Sequence, residues 1–183
     1  MKDTNKRIYV LLQASLLCLL LFPLSARGEK MGVNIGYFYP SSSSVRDLYG
    51  NAWFDIGVSL PINIYGTSRE ERLEYISLDY INNSYSGVLE GYPYTANVTN
   101  IPLIYNTRYR SGGKNFYYVY GIGFNYLKVK VEMGGSSERD SEIDVGGQFA
   151  FGYGAGNFAV ELRYIEFGRT GNTGIALNLL GRF

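Results

Sequence analysis

The chain has 183 residues, with no histidine, one cysteine, 18 tyrosines and 23 glycines, and its 17 basic and 16 acidic side chains leave a formal charge of +1. Length admits one domain with a short appendage, and the even charge balance offers no clustered basic face for nucleic acid. Absence of histidine excludes hydrolases that rely on an imidazole base, and most zinc sites with them. A hydrophobic content of 46% fits neither a disordered chain nor a helical membrane bundle, while 16% aromatics with abundant glycine predict many short strands and turns.

Residues 1–28 read as a secretory signal. Lys2, Lys6 and Arg7 precede an apolar run from Ile8 to Leu24, and Pro23, Ser25, Ala26 and Gly28 mark the processing region. Cleavage after Gly28 places Ala26 in the small-residue pocket; cleavage after Ala26 is the other option. Gln13 and Ser15 interrupt a run barely long enough to span a bilayer, which disfavours an uncleaved anchor. Cys18 lies inside the run, followed by more apolar residues, and is a poor lipidation site. Processing removes four positive charges and one negative, so the mature domain, 29–183, moves from +1 to −2 and has no cysteine. An exported domain without disulfides needs another source of stability, and closed sheet hydrogen bonding supplies one.

Beyond the signal, two-residue alternation recurs in eight segments. The first, 30–40, sets Val33, Ile35, Tyr37 and Tyr39 against Gly32, Asn34, Gly36 and Phe38. In the second, 51–62, Phe54, Ile56, Val58, Leu60 and Ile62 alternate with Trp53, Asp55, Gly57 and Ser59. The third, near 72–82, opposes Ile76, Leu78 and Tyr80 to Tyr75, Ser77 and Asp79; the fourth, about 97–110, opposes Leu103, Tyr105 and Tyr109 to Ile104, Asn106 and Arg108. The fifth, 114–127, alternates Phe116, Tyr118, Tyr120, Ile122 and Phe124 with Tyr117, Val119, Gly121 and Gly123. Segments 142–154, 157–166 and 173–183 repeat the pattern, with Phe151 and Tyr153, then Val160 and Tyr164, then Leu177 and Leu179 on their apolar sides. Eight strands of this length can cross a hydrocarbon slab at a steep tilt.

The apolar face is continuous on every segment, more than an eight-stranded interior can hold. A lipid-facing exterior resolves the excess. With the N-terminus periplasmic, outward aromatics gather at two levels. Tyr37, Tyr39, Phe54, Tyr80, Tyr126 and Tyr164 form one; Tyr109, Phe116, Tyr118, Phe151, Tyr153, Phe158 and Phe183 form the other. Aliphatics such as Val33, Ile56, Leu78, Leu103, Ile122 and Val160 lie between them. Two aromatic girdles around an aliphatic band are the mark of a membrane-spanning barrel. Short glycine-rich links at 111–113 and 155–156 read as periplasmic turns. Segments 41–50, 83–96, 128–141 and 168–172 read as external loops, and 63–71 is long for a periplasmic turn unless the flanking strands run into it.

The whole mature chain resembles the small eight-stranded outer-membrane barrels of Gram-negative bacteria, the OmpA/OmpX/OmpW-like group. The resemblance is carried by GVNIGYFYP at 32–40, IPLIYNTRYR at 101–110, VYGIGFNY at 119–126 and GIALNLLGRF at 174–183. It implies an all-β, closed, antiparallel, up-and-down eight-stranded transmembrane barrel in the outer membrane. It also implies that Ile175, Leu177, Leu179 and Phe183 are an assembly signal read by the barrel-assembly machinery during insertion, with Gly181 replacing the usual apolar residue. Expected surroundings are outer-membrane lipid and lipopolysaccharide, with no nucleic acid, no cofactor and a monomeric state. One activity does not follow, because this fold hosts many.

Six charged residues face the predicted interior: Asp55, Asp79 and Glu161 against Arg108, Arg163 and Arg182. Depth groups Asp55 and Asp79 with Arg163, and Glu161 with Arg108 and Arg182. They form either a selectivity constriction or a neutral ionic plug, and balanced numbers favour the plug. Gly121, Gly123, Gly146 and Gly152 outline a small cavity or make room for Trp53, Phe38 or Tyr117. In 134–144, Glu138, Asp140, Glu142 and Asp144 lack the spacing of a calcium loop, so a solvated mobile loop is expected. Tyr85, Tyr92 and Tyr94 in 84–96 either dock a partner or lipopolysaccharide, or anchor at the membrane interface. No nucleophile–base pair is visible. The expected function is a non-enzymatic envelope or surface-interaction role through the external loops, with a narrow channel for small or hydrophobic solutes as the alternative.

Overall fold

The computed structural model describes residues 31–67, 70–111, 114–168 and 173–182; the signal segment and Phe183 lie outside the described residues. Eight antiparallel strands follow one another round a closed barrel. They are β1 (Gly32–Pro40), β2 (Trp53–Thr67), β3 (Glu70–Leu89), β4 (Tyr92–Ser111), β5 (Phe116–Met133), β6 (Ser136–Ala155), β7 (Phe158–Phe167) and β8 (Gly174–Arg182). One short helix, α1 (Ser43–Tyr49), joins β1 to β2. Pairing of β1 with β2 (Ile35 opposite Ile56) and with β8 (Tyr37 opposite Leu177) closes the ring. Closure matters because hydrocarbon offers no partner for an unpaired backbone amide.

Alternation sorts the side chains as the period of two requires. Ile35, Tyr37, Leu103, Ile122, Phe124, Phe151, Phe158, Leu177 and Leu179 stand exposed on the outside. Phe38, Trp53, Ile104, Tyr117 and Val119 are buried inside. Aqueous solvent would penalise an outer surface of this kind by about 25 cal/mol per Å2; a bilayer does not. The barrel therefore spans a membrane.

Several predicted loops prove to be strand. Residues 83–96 and 128–141 continue as β3–β4 and β5–β6 hairpins, paired up to Leu89 opposite Tyr92 and Met133 opposite Ser136. The expected mobile loop at 134–144 is mostly the paired outer part of β6. In 83–89 and 134–143 no residue is buried and the apolar–polar contrast that reveals a strand disappears, although Tyr94 and Ala96 on β4 are buried. At the other end β2 and β3 run into 63–71 and pair down to Thr67 opposite Glu70. Segment 41–50 contains α1, capped by Ser42, whose hydroxyl accepts from the Val45 amide.

The interior holds two apolar layers. Phe38, Trp53, Ile81, Val98, Ile104, Ile165, Phe167 and Ala176 fill the end nearer α1, with its Val45 and Tyr49 packed against them. Tyr75, Tyr117, Val119, Ala150 and Ala159 fill the opposite end. Of the interior glycines, Gly152 does make room for Tyr117, since a Cβ there would collide with the phenol ring. Gly146 is instead pressed against Phe167, and Gly123 against the Leu103–Ile104 backbone.

Candidate functional site

Between the apolar layers lies an ionic layer. Arg163 on β7, 3% exposed, reaches Asp79 Oδ2 on β3 with Nη1 at 3.1 Å and Glu161 Oε1 with Nη2 at 3.1 Å. Asn34 donates to the other Asp79 oxygen at 3.0 Å, and Asn178 donates to Asp55 Oδ2 at 2.9 Å. A second polar tier joins Gln148 to Asn106 (2.5 Å) and Asn106 to Ser77 (2.9 Å). Residues two apart on one strand share a face, which is why Arg163 takes Glu161 from the grouping that depth had suggested with Arg108 and Arg182. Arg108 pairs with Glu71 at 3.0 Å and lies 5.3 Å over the Tyr117 ring. Glu71 was missed because its segment read as a turn. Arg182 and Arg108 line a cavity with Tyr75, Glu161 and Arg163. That cavity measures about 40 Å3, room for roughly three waters. Side chains, not a water column, occupy the lumen at this level.

Outside the membrane the barrel carries a second structure. Pairing of β4 with β5 continues to Tyr94 opposite Met133, so the β3–β4 and β5–β6 hairpins form one four-stranded sheet. Strand β2 pairs with β3 no further than Phe54 opposite Asn82, and β7 with β6 no further than Phe167 opposite Gly146. Beyond those points β3 and β6 are the two edges of the projecting sheet. Helix α1 braces its base: Tyr94 hydroxyl donates to the carbonyls of Asp47 (3.0 Å) and Leu48 (3.1 Å), and Asn83 Nδ2 to that of Tyr49 (2.6 Å). Burial above all, then the neighbouring Tyr85, Tyr49 and Asp47, raises the Tyr94 phenol above its ordinary range, so it stays a donor.

The edges differ in chemistry. On β6, Glu138, Arg139, Asp140, Glu142 and Asp144 place charge along the edge, a pattern that discourages strand addition. On β3, residues 83–89 (NSYSGVL) carry no charge, and Val88 is 70% exposed. The faces differ as well. Lys128, Lys130 and Arg139 share the outward face just above the girdle residue Tyr126, with Lys130 directly opposite Arg139. Glu138, Asp140, Glu142 and Asp144 alternate onto the opposite face.

No protein-family model matches the sequence, and no curated protein matches it. Solved structures do. The attachment invasion locus protein Ail of Yersinia pestis superimposes with a TM-score of 0.52 at 13% identity, covering 85% of this chain and 99% of Ail. The N-terminal β-barrel domain of Pseudomonas aeruginosa OprF gives 0.53 at 13% identity, with 85% and 98% covered. Neisserial surface protein A gives 0.51 at 15%, with 85% and 97% covered. The fold is that of the small outer-membrane barrels. At these identities the likeness extends to architecture, and the chemistry must come from the residues described above.

Proposed function

We propose that the chain is a non-enzymatic outer-membrane protein, exported by cleavage of residues 1–28, that presents its projecting sheet for surface interaction. The observation that carries this reading is the asymmetric sheet: a charged β6 edge, an uncharged β3 edge and a helix that braces the base. Strand addition at β3 would give an extended polypeptide main-chain bonds along residues 83–89. The packed lumen supports the reading against the channel alternative, because conduction needs a continuous wet path. The outward Ile175, Leu177 and Leu179 are the surface offered to the assembly machinery as a monomer inserts.

Cutting both hairpins back to short turns at 84–95 and 131–138 tests the reading. The shortened barrel is expected to insert, and cells displaying it to lose attachment to surfaces coated with unfolded polypeptide. Undiminished attachment would count against the sheet, and steady single-channel conductance by the native chain in a planar bilayer would favour the channel.

Lys130 is already paired with Glu132, so Lys128 and Arg139 are the outward cations left to meet the phosphates of lipopolysaccharide. Replacing Lys128 and Arg139 together by glutamine is expected to cost about 1 kcal/mol per cation in bilayers containing lipopolysaccharide. In phospholipid bilayers the same replacement is expected to cost nothing, as read from unfolding midpoints in the two membranes.

A further inference from the structure

A polar island interrupts the lipid-facing wall near the periplasmic end of β2 and β3. Arg72 and Glu74 stand in phase with the outward Ile76, Leu78 and Tyr80. A bulge between Pro61 and Asn63 shifts the phase of β2, so that Asn63 falls opposite Glu74 and Tyr65 opposite Arg72. The row of paired residues then runs Tyr65, Arg72, Tyr109, Tyr118, Phe151 across five strands. An arginine thus stands between Tyr65 and Tyr109, at the edge of the periplasmic aromatic girdle.

This arginine is held. Its Nη2 bonds Glu74 Oε1, and the other Glu74 oxygen accepts from Asn63 Nδ2 at 3.0 Å. The guanidinium lies 5.5 Å from the centre of the Tyr65 ring and 5.8 Å from that of Tyr109, which itself stacks on Tyr118 at 5.3 Å. Glu74 is 9% exposed at its side chain while Arg72 is 45% exposed. The carboxylate is therefore consumed in orienting the cation, and the cation faces outward. Among the described residues, Glu74 is the one anion bonded to it. Tyr65, Glu70, Glu71, Arg72, Tyr109 and Arg110 line an open groove of about 540 Å3; Glu71 is paired with Arg108, and the Arg110 guanidinium lies 5.9 Å over the Tyr117 ring. Glu70 is exposed on the same face of β3, two residues further from the membrane.

We propose that Arg72 and Glu70, framed by Tyr65 and Tyr109, bind the aminoethyl-phosphate headgroup of a zwitterionic phospholipid in the periplasmic leaflet. Charge order selects this occupant. Such a headgroup carries its phosphate next to the glycerol and its ammonium beyond, toward water; the wall offers arginine at the membrane border and glutamate beyond it. A purely anionic headgroup would meet Arg72 but be repelled by Glu70. Simple interfacial anchoring needs the tyrosines alone and leaves the Glu74–Asn63 clamp on the arginine without a purpose. The inference rests on the orientation that places the β2–β3 turn in the periplasm.

Native mass spectrometry of the folded mature chain from micelles, with phosphatidylethanolamine, phosphatidylglycerol and phosphatidylcholine of matched acyl chains, tests it. Phosphatidylethanolamine is expected to be retained over phosphatidylglycerol. Arg72→Gln is expected to lower its retention about tenfold, the loss of a charge-assisted contact. Glu70→Gln is expected to abolish the preference between the two lipids, with both variants still showing the heat-modifiable mobility of a folded barrel. Equal retention of all three lipids, or either variant behaving as wild type, overturns the site. Thiol labelling of Lys114→Cys and Ser136→Cys chains in intact cells reads orientation separately. Labelling at 114 and not at 136 would overturn the periplasmic assignment and leave the headgroup preference in micelles to stand or fall by itself.

Discussion

Replacing Arg163 by alanine is expected to destabilise the barrel by about 3–5 kcal/mol, the cost of leaving buried charge uncompensated. The reason is visible in the ionic layer. Arg163 is the cation that bridges Asp79 and Glu161, both fully buried, and Asp55 lies in the same layer with an asparagine rather than an arginine as its partner. Removing the guanidinium leaves three carboxylates in one low-dielectric compartment. Of the other interior arginines among the described residues, Arg108 is paired with Glu71, and Arg182 shares a cavity with Glu161 but forms no ion pair with the three acids. Asp55→Asn in the Arg163→Ala background should restore part of the loss, because the amide keeps an acceptor for Asn178 while removing one charge. Urea unfolding in lipid vesicles, followed by the fluorescence of the chain's single tryptophan, reads both effects. Equal stability of Arg163→Ala and wild type would show that water, not the guanidinium, balances the acids.

Trp53→Ala is expected to cost about 3–5 kcal/mol, the range for emptying a large aromatic site in a core. Trp53 is fully buried, packs on Phe38 with ring centres 5.4 Å apart, and donates from Nε1 to the Gly50 carbonyl at 3.0 Å. That last bond ties the end of α1 to the barrel, so the substitution also loosens the brace under the projecting sheet. Limited proteolysis of intact cells should then cut within 41–50, where the native chain resists. Heat-modifiable mobility measures the stability loss, and resistance to cleavage in the variant would show that Tyr94 and Asn83 hold the helix without help.

Much of the architecture was legible in the residue order, and the reason is the membrane. Lipid imposes one rule on the outward positions that it covers, from Val33 on β1 to Leu179 on β8, so alternation is strong where a strand crosses its aliphatic band. Inner residues such as Asn34, Trp53, Asp55, Asn106 and Arg163 stand out by contrast. The projecting parts of β3 to β6 were not legible, because residues 83–89 and 136–144 carry no continuous apolar face to alternate against a polar one. The polar island at Arg72 was within reach: extending the phase of Ile76, Leu78 and Tyr80 backwards puts Glu74 and Arg72 on the greasy side. The faces of 72–82 were assigned from Tyr75 and Ile76 onward, which passed over it, and Pro61 is the kind of residue that marks a bulge.

By itself the sequence determined that the chain crosses a membrane as strands, how many there are, and which side chains face lipid. These properties depend on local period and on residue type at each depth, quantities that a linear string contains. Partner choice needed the closed ring. Whether Arg163 meets Asp79 or Arg108 meets Glu71 depends on stagger and curvature, since the members of each pair stand on different strands and meet only across the lumen or between neighbouring walls. The bulge at Pro61 decided that Asn63 would clamp Glu74, and the unequal lengths of neighbouring strands decided which edges would be left bare above the membrane. Pairing register is a property of two strands at once, and no single strand encodes it.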